Sequence, residues 1–210
     1  MGNQVLLEID NISKAFGITK ACKNITFTIN KGEIHGLIGE NGSGKSTLTS
    51  MIYGLQSPDE GRFIFLGKEY KAYNQLEANA VGISAIVQEA GTLSGLTVAQ
   101  NMFLGKEREF ISNGFLNNKK MNVAADSLLK EYGFETIKGA NIVDKYNFET
   151  RKFIEIVKAT YFKPELVIVD ETTTALSQDG REILYEQMEK IRNSGRTVIF
   201  ISHDLDEVMS

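Results

Sequence analysis

Gly39-Glu40-Asn41-Gly42-Ser43-Gly44-Lys45-Ser46-Thr47 follows the apolar run Ile34-His35-Gly36-Leu37-Ile38 and precedes a helix-like segment, Thr47 to Tyr53. The order is strand, glycine-rich loop, helix, with the G-x-x-x-x-G-K-S spacing of a phosphate-binding loop. Glycines let the backbone bend so that successive N–H groups point inward at phosphate oxygens. The helix that follows adds its unpaired N-terminal N–H groups and the positive end of its dipole. Lys45 would reach the β- and γ-phosphates, and the Ser46 hydroxyl would be a ligand for Mg²⁺.

Working outward, the second informative stretch is Leu166-Val167-Ile168-Val169, a continuous apolar run expected of a strand buried on both faces. It ends in Asp170-Glu171, and open α/β sheets bind ligands at such strand ends. Asp170 would hold Mg²⁺, and Glu171 would orient an attacking water or take its proton. Two solvated acids in a strand-to-helix turn are the plainer alternative; the phosphate loop elsewhere in the chain weighs against it. Gln88 closes another apolar strand, Ile83 to Val87, and His203 follows the buried run Thr197 to Ile201. A neutral imidazole at His203 would hydrogen-bond a γ-phosphate, whereas His35, inside a strand, reads as structural. Four strand ends would then converge on one nucleotide.

The remaining chain reads as scaffold. Val5 to Ile9 and Asn24 to Ile29 are expected strands, with Ser13 to Gly17 between them as a loop carrying an aromatic, Phe16. Short links over Asn30–Gly32, Pro58–Gly61 and Gly67–Glu69 imply antiparallel pairing, including a strand over Arg62 to Leu66. Helical periodicity covers Thr97 to Leu104, Asn118 to Tyr132 and Thr150 to Phe162. Ser177 is placed to cap a helix that turns Ile183, Leu184, Met188 and Ile191 inward. The expected fold is α/β: a mostly parallel core over 1–88 and 163–210, an antiparallel β subdomain near the N-terminus, and an inserted α-helical subdomain over about 89–162. All of it forms a single domain.

Composition narrows the function classes. The 210 residues suffice for one α/β domain with a subdomain. A net charge of -4 gives no basic surface for nucleic acid or anionic lipid. One cysteine, Cys22, precludes an internal disulfide, and no Cys/His cluster marks zinc. No apolar run approaches the roughly 18 residues of a membrane span, and Met1 to Asp10 does not read as a signal peptide. The expectation is a cytoplasmic protein, with any membrane association supplied by a partner. Because the chain stops inside an apparent helix after His203, it reads as a piece of something longer.

Taken together, these residues resemble an ATP-binding cassette (ABC) ATPase over essentially the whole chain. Gly39 to Thr47 matches the Walker A motif, and Leu166 to Asp170 with Glu171 matches Walker B. Gln88 matches the Q-loop glutamine, also a metal-site residue in the family, and His203 the switch histidine. Phe16 stands where the family stacks an aromatic on adenine. Stretches such as Gly32 to Gly36 and Gly82 to Gly105 resemble the first cassette of bacterial tandem sugar importers. The resemblance implies a P-loop NTPase core, ATP and Mg²⁺ as ligands, and ATP hydrolysis that drives import. It also implies a second cassette in the missing C-terminal part, a membrane permease, an indirectly acting solute-binding protein, and a location at the cytoplasmic face of the membrane. A nucleoside importer is a close alternative. A non-transport ABC ATPase of translation or DNA repair is disfavoured by the charge. A P-loop kinase or small GTPase is disfavoured by the Gln88, Asp170-Glu171 and His203 set and by the lack of an Asn-Lys-x-Asp motif.

One motif departs from the family. The signature, Leu-Ser-Gly-Gly-Gln or a close variant, should open the helix containing Glu155 to Lys158, but those positions read Tyr146-Asn147-Phe148-Glu149-Thr150-Arg151. Thr172 also stands where proline is usual, and Ser177 where an aspartate is frequent. Glu149 replaces a glycine and would face a phosphate on the opposite cassette. For unit charges roughly 4 Å apart at an effective dielectric of about 20, that repulsion is about 4 kcal/mol, with Arg151 neutralising part of it. The expectation is a complete site on this chain's Walker motifs and an impaired one where its signature covers a partner's nucleotide.

Overall fold

In the computed structural model, residues 4–71, 73–86, 91–112, 114–161, 163–170 and 176–203 are described. The N-terminal third forms an antiparallel sheet from β1 (Val5–Phe16), β2 (Thr19–Asn30), β4 (Glu60–Phe65) and β5 (Lys68–Tyr70), in the order β2-β1-β4-β5. Both first strands run further than their sequence pattern implies. Ser13 to Phe16 belongs to β1, with Lys14 opposite Cys22, Ala15 opposite Lys20 and Phe16 opposite Thr19. The expected loop is therefore only a two-residue turn, Gly17-Ile18, and Phe16 sits at its rim. The polar residues there hide the strand, because Ser13 to Ala15 are all half-buried and show no alternation of buried and exposed positions. Asn11, at φ 54°, breaks the register of β1 against β2 and β4, a bulge position that asparagine tolerates. The β4–β5 turn, Leu66-Gly67, has φ of 52° and 74°; two positive values in a two-residue loop are the type I′ geometry that matches strand twist.

A second, all-parallel sheet carries β3 (Ile34–Ile38), β10 (Thr197–Ser202), β9 (Leu166–Asp170) and β6 (Ile83–Ile86), in the order β3-β10-β9-β6. Its central strands are buried on both faces. Leu166 and Ile168 of β9 with Ile199 and Ile201 of β10 pack toward the antiparallel sheet and α1 (Lys45–Ile52). Val167, Val169, Val198 and Phe200 pack on the other face, against Phe153 and Ile156 of α5 (Phe148–Tyr161) and Leu184, Met188 and Ile191 of α6 (Gln178–Asn193). Ser177 caps α6 as expected, its hydroxyl accepting from Gly180 N at 3.0 Å. A short helix that the periodicity did not reveal, α2 (Gln75–Val81), precedes β6. Its start is a reciprocal pair in which Asn74 Oδ1 accepts from Glu77 N and Asn74 Nδ2 donates to Glu77 Oε1.

The helical region has its own core. Phe103 and Met102, at and beside the end of α3 (Val98–Met102), pack with Met121, Ala125 and Leu129 of α4 (Asn118–Glu131) and with Ile154 and Val157 of α5. A capping box between Thr97 and Gln100 opens α3. A small hairpin, β7 (Ile111–Ser112) and β8 (Phe115–Leu116), precedes α4. Helix α5 therefore serves two cores, through Ile154 and Val157 on one side and Phe153, Ile156 and Ala159 on the other. Its first turn also starts two residues before the expected Thr150, because Asn147 Oδ1 accepts from Thr150 N at 2.9 Å and so caps it.

Phe103 is fully buried with its ring against Phe110 and Tyr161. Phe103→Ala should cost about 3–5 kcal/mol. Hydrogen exchange should show amide protection falling in α3 and α4 well before it falls in β9 and β10.

Candidate nucleotide site

The C-terminal edge of the parallel sheet assembles the site. Register places Ser202 opposite Ile38 and Ile201 opposite Asp170. The phosphate loop after Ile38, the carboxylate of Asp170 and His203 after Ser202 thus emerge side by side. Ile86 pairs with Val169, so β6 runs toward the same edge. Gln88 and Glu171 lie outside the described residues, as do Thr172 and the segment 204–210.

The loop is bent by two glycines at positive φ, and at one of them a side chain would also clash. Gly44 has φ 93°, and a Cβ there would overlap the carbonyl oxygen of Ala21 in β2. Gly42, at φ 83°, turns the loop in open space. Helix α1 then begins with no side-chain cap and no acid in its first turn, which leaves its N-terminal N–H groups and dipole for an anion. Lys45 is only 7% exposed, and its Nζ donates to the carbonyls of Gly39 at 2.6 Å and Glu40 at 3.0 Å. The ammonium is therefore held inside the loop, where a phosphate would meet it. Ser46 Oγ stands 3.5 Å from Asp170 Oδ1. A hydroxyl and a carboxylate at this distance, at the mouth of an anion cradle, suit a hard, partly hydrated cation such as Mg²⁺.

A cavity of about 330 Å³ opens here, bounded by Asn41, Gly42 and Gly44 to Thr47 on one side. Thr19, Lys20 and Ala21 of β2 form the other wall. These three were not legible from the motif, since they come from about twenty residues upstream and carry no local phosphate-binding pattern. Phe16 lies at the end of the same hairpin, 49% exposed, with Lys14 Nζ 5.7 Å from its ring centroid. An exposed ring at the end of that hairpin is available to stack. His203 is also exposed. His35 is structural, as its strand position implied: its ring stacks on Phe27 at 5.4 Å and Nδ1 lies 3.2 Å from Glu33 Oε1. Cys22 is buried behind the loop, Sγ 3.7 Å from the Gly44 carbonyl, and burial raises its pKa.

The signature positions differ from the electrostatic expectation. Glu149 does not stand as a free outward carboxylate: its Oε1 accepts from Ser177 N at 3.0 Å and from Ser177 Oγ at 2.6 Å. Arg151 does not neutralise it either. Its Nε donates to the Tyr146 carbonyl at 2.9 Å, and its guanidinium lies 3.6 Å from Asp144. The start of α6, with its positive dipole end and N–H groups, is a better partner for the carboxylate than Arg151, which is already held by Tyr146 and Asp144.

Gly44→Ala should abolish phosphate binding, because φ 93° disfavours alanine and the new methyl must displace β2. Titration with ATP should show no saturation at concentrations that saturate the parent chain.

Comparison with known proteins places this arrangement. A family model described as ABC transporter matches residues 22–174, well over half of the chain. The ribose import ATP-binding protein of Bacillus cereus strain ZK / E33L is 40% identical over 97% of the chain. The arabinose import ATP-binding protein of Rhizobium johnstonii is 35% identical over 96% of it. The chain spans only 41% and 40% of the lengths of these two relatives. Among solved structures, an ATP-binding cassette of an ABC transporter in its ADP conformation superposes with a TM-score of 0.84 at 26% identity, covering 98% of this chain and 84% of that one. With its phosphate loop, its Asp170 strand and its two sheets in the arrangement of that cassette, this chain belongs to the ABC transporter family and has the P-loop NTPase fold of an ATP-binding cassette.

Proposed function

We propose that the chain is the nucleotide-binding cassette of an ATPase that powers import of a sugar or related solute through a membrane permease. The observation that carries this reading is the meeting of Ser46 and Asp170, 3.5 Å apart beside the buried Lys45. Lysine, hydroxyl and carboxylate from two separate strand ends together form the donor set for Mg·ATP. The sugar class comes from the relatives, which are named for ribose and arabinose import.

In this reading the N–H groups of Gly42 to Thr47 and the Lys45 ammonium neutralise the β- and γ-phosphates, and Phe16 stacks on the base. Ser46 and Asp170 hold Mg²⁺, which when bound would withdraw charge from the phosphates. Glu171, from its place directly after Asp170, orients or deprotonates the attacking water. His203 donates to the γ-phosphate. Gln88 senses the metal and passes its occupancy to the helical region. A cavity of about 210 Å³ lined by Tyr53, Asn79, Ser84, Gly91, Glu155 and Lys158 lies where β6 meets α2 and α5. Glu155 accepts from Gly91 N at 2.7 Å there, so displacement of the segment after β6 would be felt directly by α5. Among the described residues no helix is long and apolar enough to cross a membrane; contact with the permease would make the cassette peripheral at the cytoplasmic face.

The reading is asymmetric. The Walker motifs of this chain form one competent half-site, completed by the signature of a second cassette, most simply one further along the same protein. The signature offered in return is degenerate: Asn147 is used to cap α5 and Glu149 is bound to Ser177. The partner's nucleotide would be held there and turned over poorly. A solute-binding protein would act on the permease, and no nucleic acid is involved.

Lys45→Ala should weaken ATP binding by about 10- to 100-fold, the worth of charge-assisted hydrogen bonds to phosphate. Asp170→Asn should leave metal-free ATP binding near the parent value and remove its enhancement by Mg²⁺. Calorimetric titration with and without Mg²⁺ checks both; unchanged affinity in Lys45→Ala would overturn the site. Grafting an intact signature onto positions 146–151 in the assembled transporter should raise turnover at the partner's Walker site. Recovery at this chain's own site instead would overturn the asymmetry.

A further inference from the structure

Glu149 and Ser177 lie 28 residues apart, on helices that pack against one face of the parallel sheet. Both the main-chain N–H and the hydroxyl of Ser177 donate to one oxygen of Glu149. The same hydroxyl accepts from Gly180 N, closing a relay from the first turn of α5 to the first turn of α6. Gly180 is buried, and a Cβ there would overlap Glu149 Oε1. The absence of a side chain at Gly180 therefore makes the seat for the carboxylate. A negative group at the N-terminus of a sixteen-residue helix is favoured by its dipole and unpaired N–H groups.

We propose that Glu149 is a positioning residue acting within its own chain: its carboxylate pins Ser177, and with it the start of α6, to the signature turn. Ser177 stands seven residues after Asp170, so the pin fixes the far end of the connection that begins at the Mg²⁺-binding strand. The substitution at this signature position thus gives the cassette an internal tie where a glycine would offer backbone outward. Because the charge is satisfied at home, it is the acceptor oxygen, and not repulsion of a nucleotide across an interface, that matters at position 149. The contact is independent of the proposed function; its effect on ATP turnover rests on that reading.

The test is a set of variants in the full protein. Glu149→Ala should lower Tm by roughly 2–6 °C, the loss of two charge-assisted bonds in a chain of this size. Glu149→Gln should lose only part of that, because its amide oxygen accepts the same two bonds without the charge. Gly180→Ala should lower Tm in the parent but not in the Glu149→Ala background, where the seat is empty. Additive losses, or no loss in Glu149→Ala, would overturn the tie. In ATP turnover by the assembled transporter, Glu149→Gln should match the parent within about twofold while Glu149→Ala falls. A several-fold rise in Glu149→Gln would instead show that the charge acts across the interface, and would overturn the proposal. Were the assembled protein not to hydrolyse ATP at all, the functional reading would fail while the Tm cycle still decides the contact.

Discussion

The approach of Gly44 to the carbonyl of Ala21 is the contact on which the site depends. It is a backbone-to-backbone fit with no room for a methyl group, and it locks the phosphate loop onto the hairpin of the antiparallel sheet. Cys22 Sγ lies behind the same point, 3.7 Å from the Gly44 carbonyl. The loop is therefore held on one side by β3 and on the other by β2. Its own sequence supplies the bends; a strand twenty residues upstream supplies the wall. The same contact brings Thr19, Lys20 and Ala21 into the wall of the cavity that Lys45 also lines.

Around that contact the two sheets divide the work. The parallel sheet lines up three chemistries at one edge, since its register sets Ser202 beside Ile38 and Asp170 beside Ile201. The antiparallel sheet closes over α1, whose last turn is held by the Tyr70 hydroxyl donating to the Ile52 carbonyl at 2.9 Å. Burial raises the pKa of that tyrosine, so it remains a donor through the neutral range. Helix α5 joins the sheet to the helical region by packing into both cores. A cassette built this way can move the helical region only by moving a helix that also touches the sheet. That is the mechanical property an ATP-driven subunit needs.

Much of this was legible because local chemistry and global fold agree. Gly39 to Thr47 needs a strand before it and a helix after it, and both were visible as apolar periodicity. Ser177 before a 3.6-period stripe gave α6, and the periodicity of Asn118 to Tyr132 gave α4. The failures have physical reasons as well. Ser13 to Ala15 is strand with every residue half-buried, so no alternation marks it. Helix α2 spans seven residues, too few for a periodic signal, and only Asn74 and Glu77 announced it. The home of the Glu149 carboxylate was invisible, because nothing local to Tyr146–Arg151 records that Ser177 folds back to meet it. Reading Glu149 from its neighbours alone left its charge unsatisfied and so aimed it at a phosphate.

The proposed asymmetry, a competent Walker site beside a signature turned inward, is the central claim. A structure of the assembled transporter with Mg²⁺ and a non-hydrolysable ATP analogue tests it most directly. The account predicts a triphosphate on Lys45, Ser46 and Asp170 that is covered by an intact signature from the other cassette, with Glu149 still on Ser177. A triphosphate whose γ-phosphate is contacted by Asn147 and Phe148 of this chain, with Glu149 released from Ser177, would contradict it.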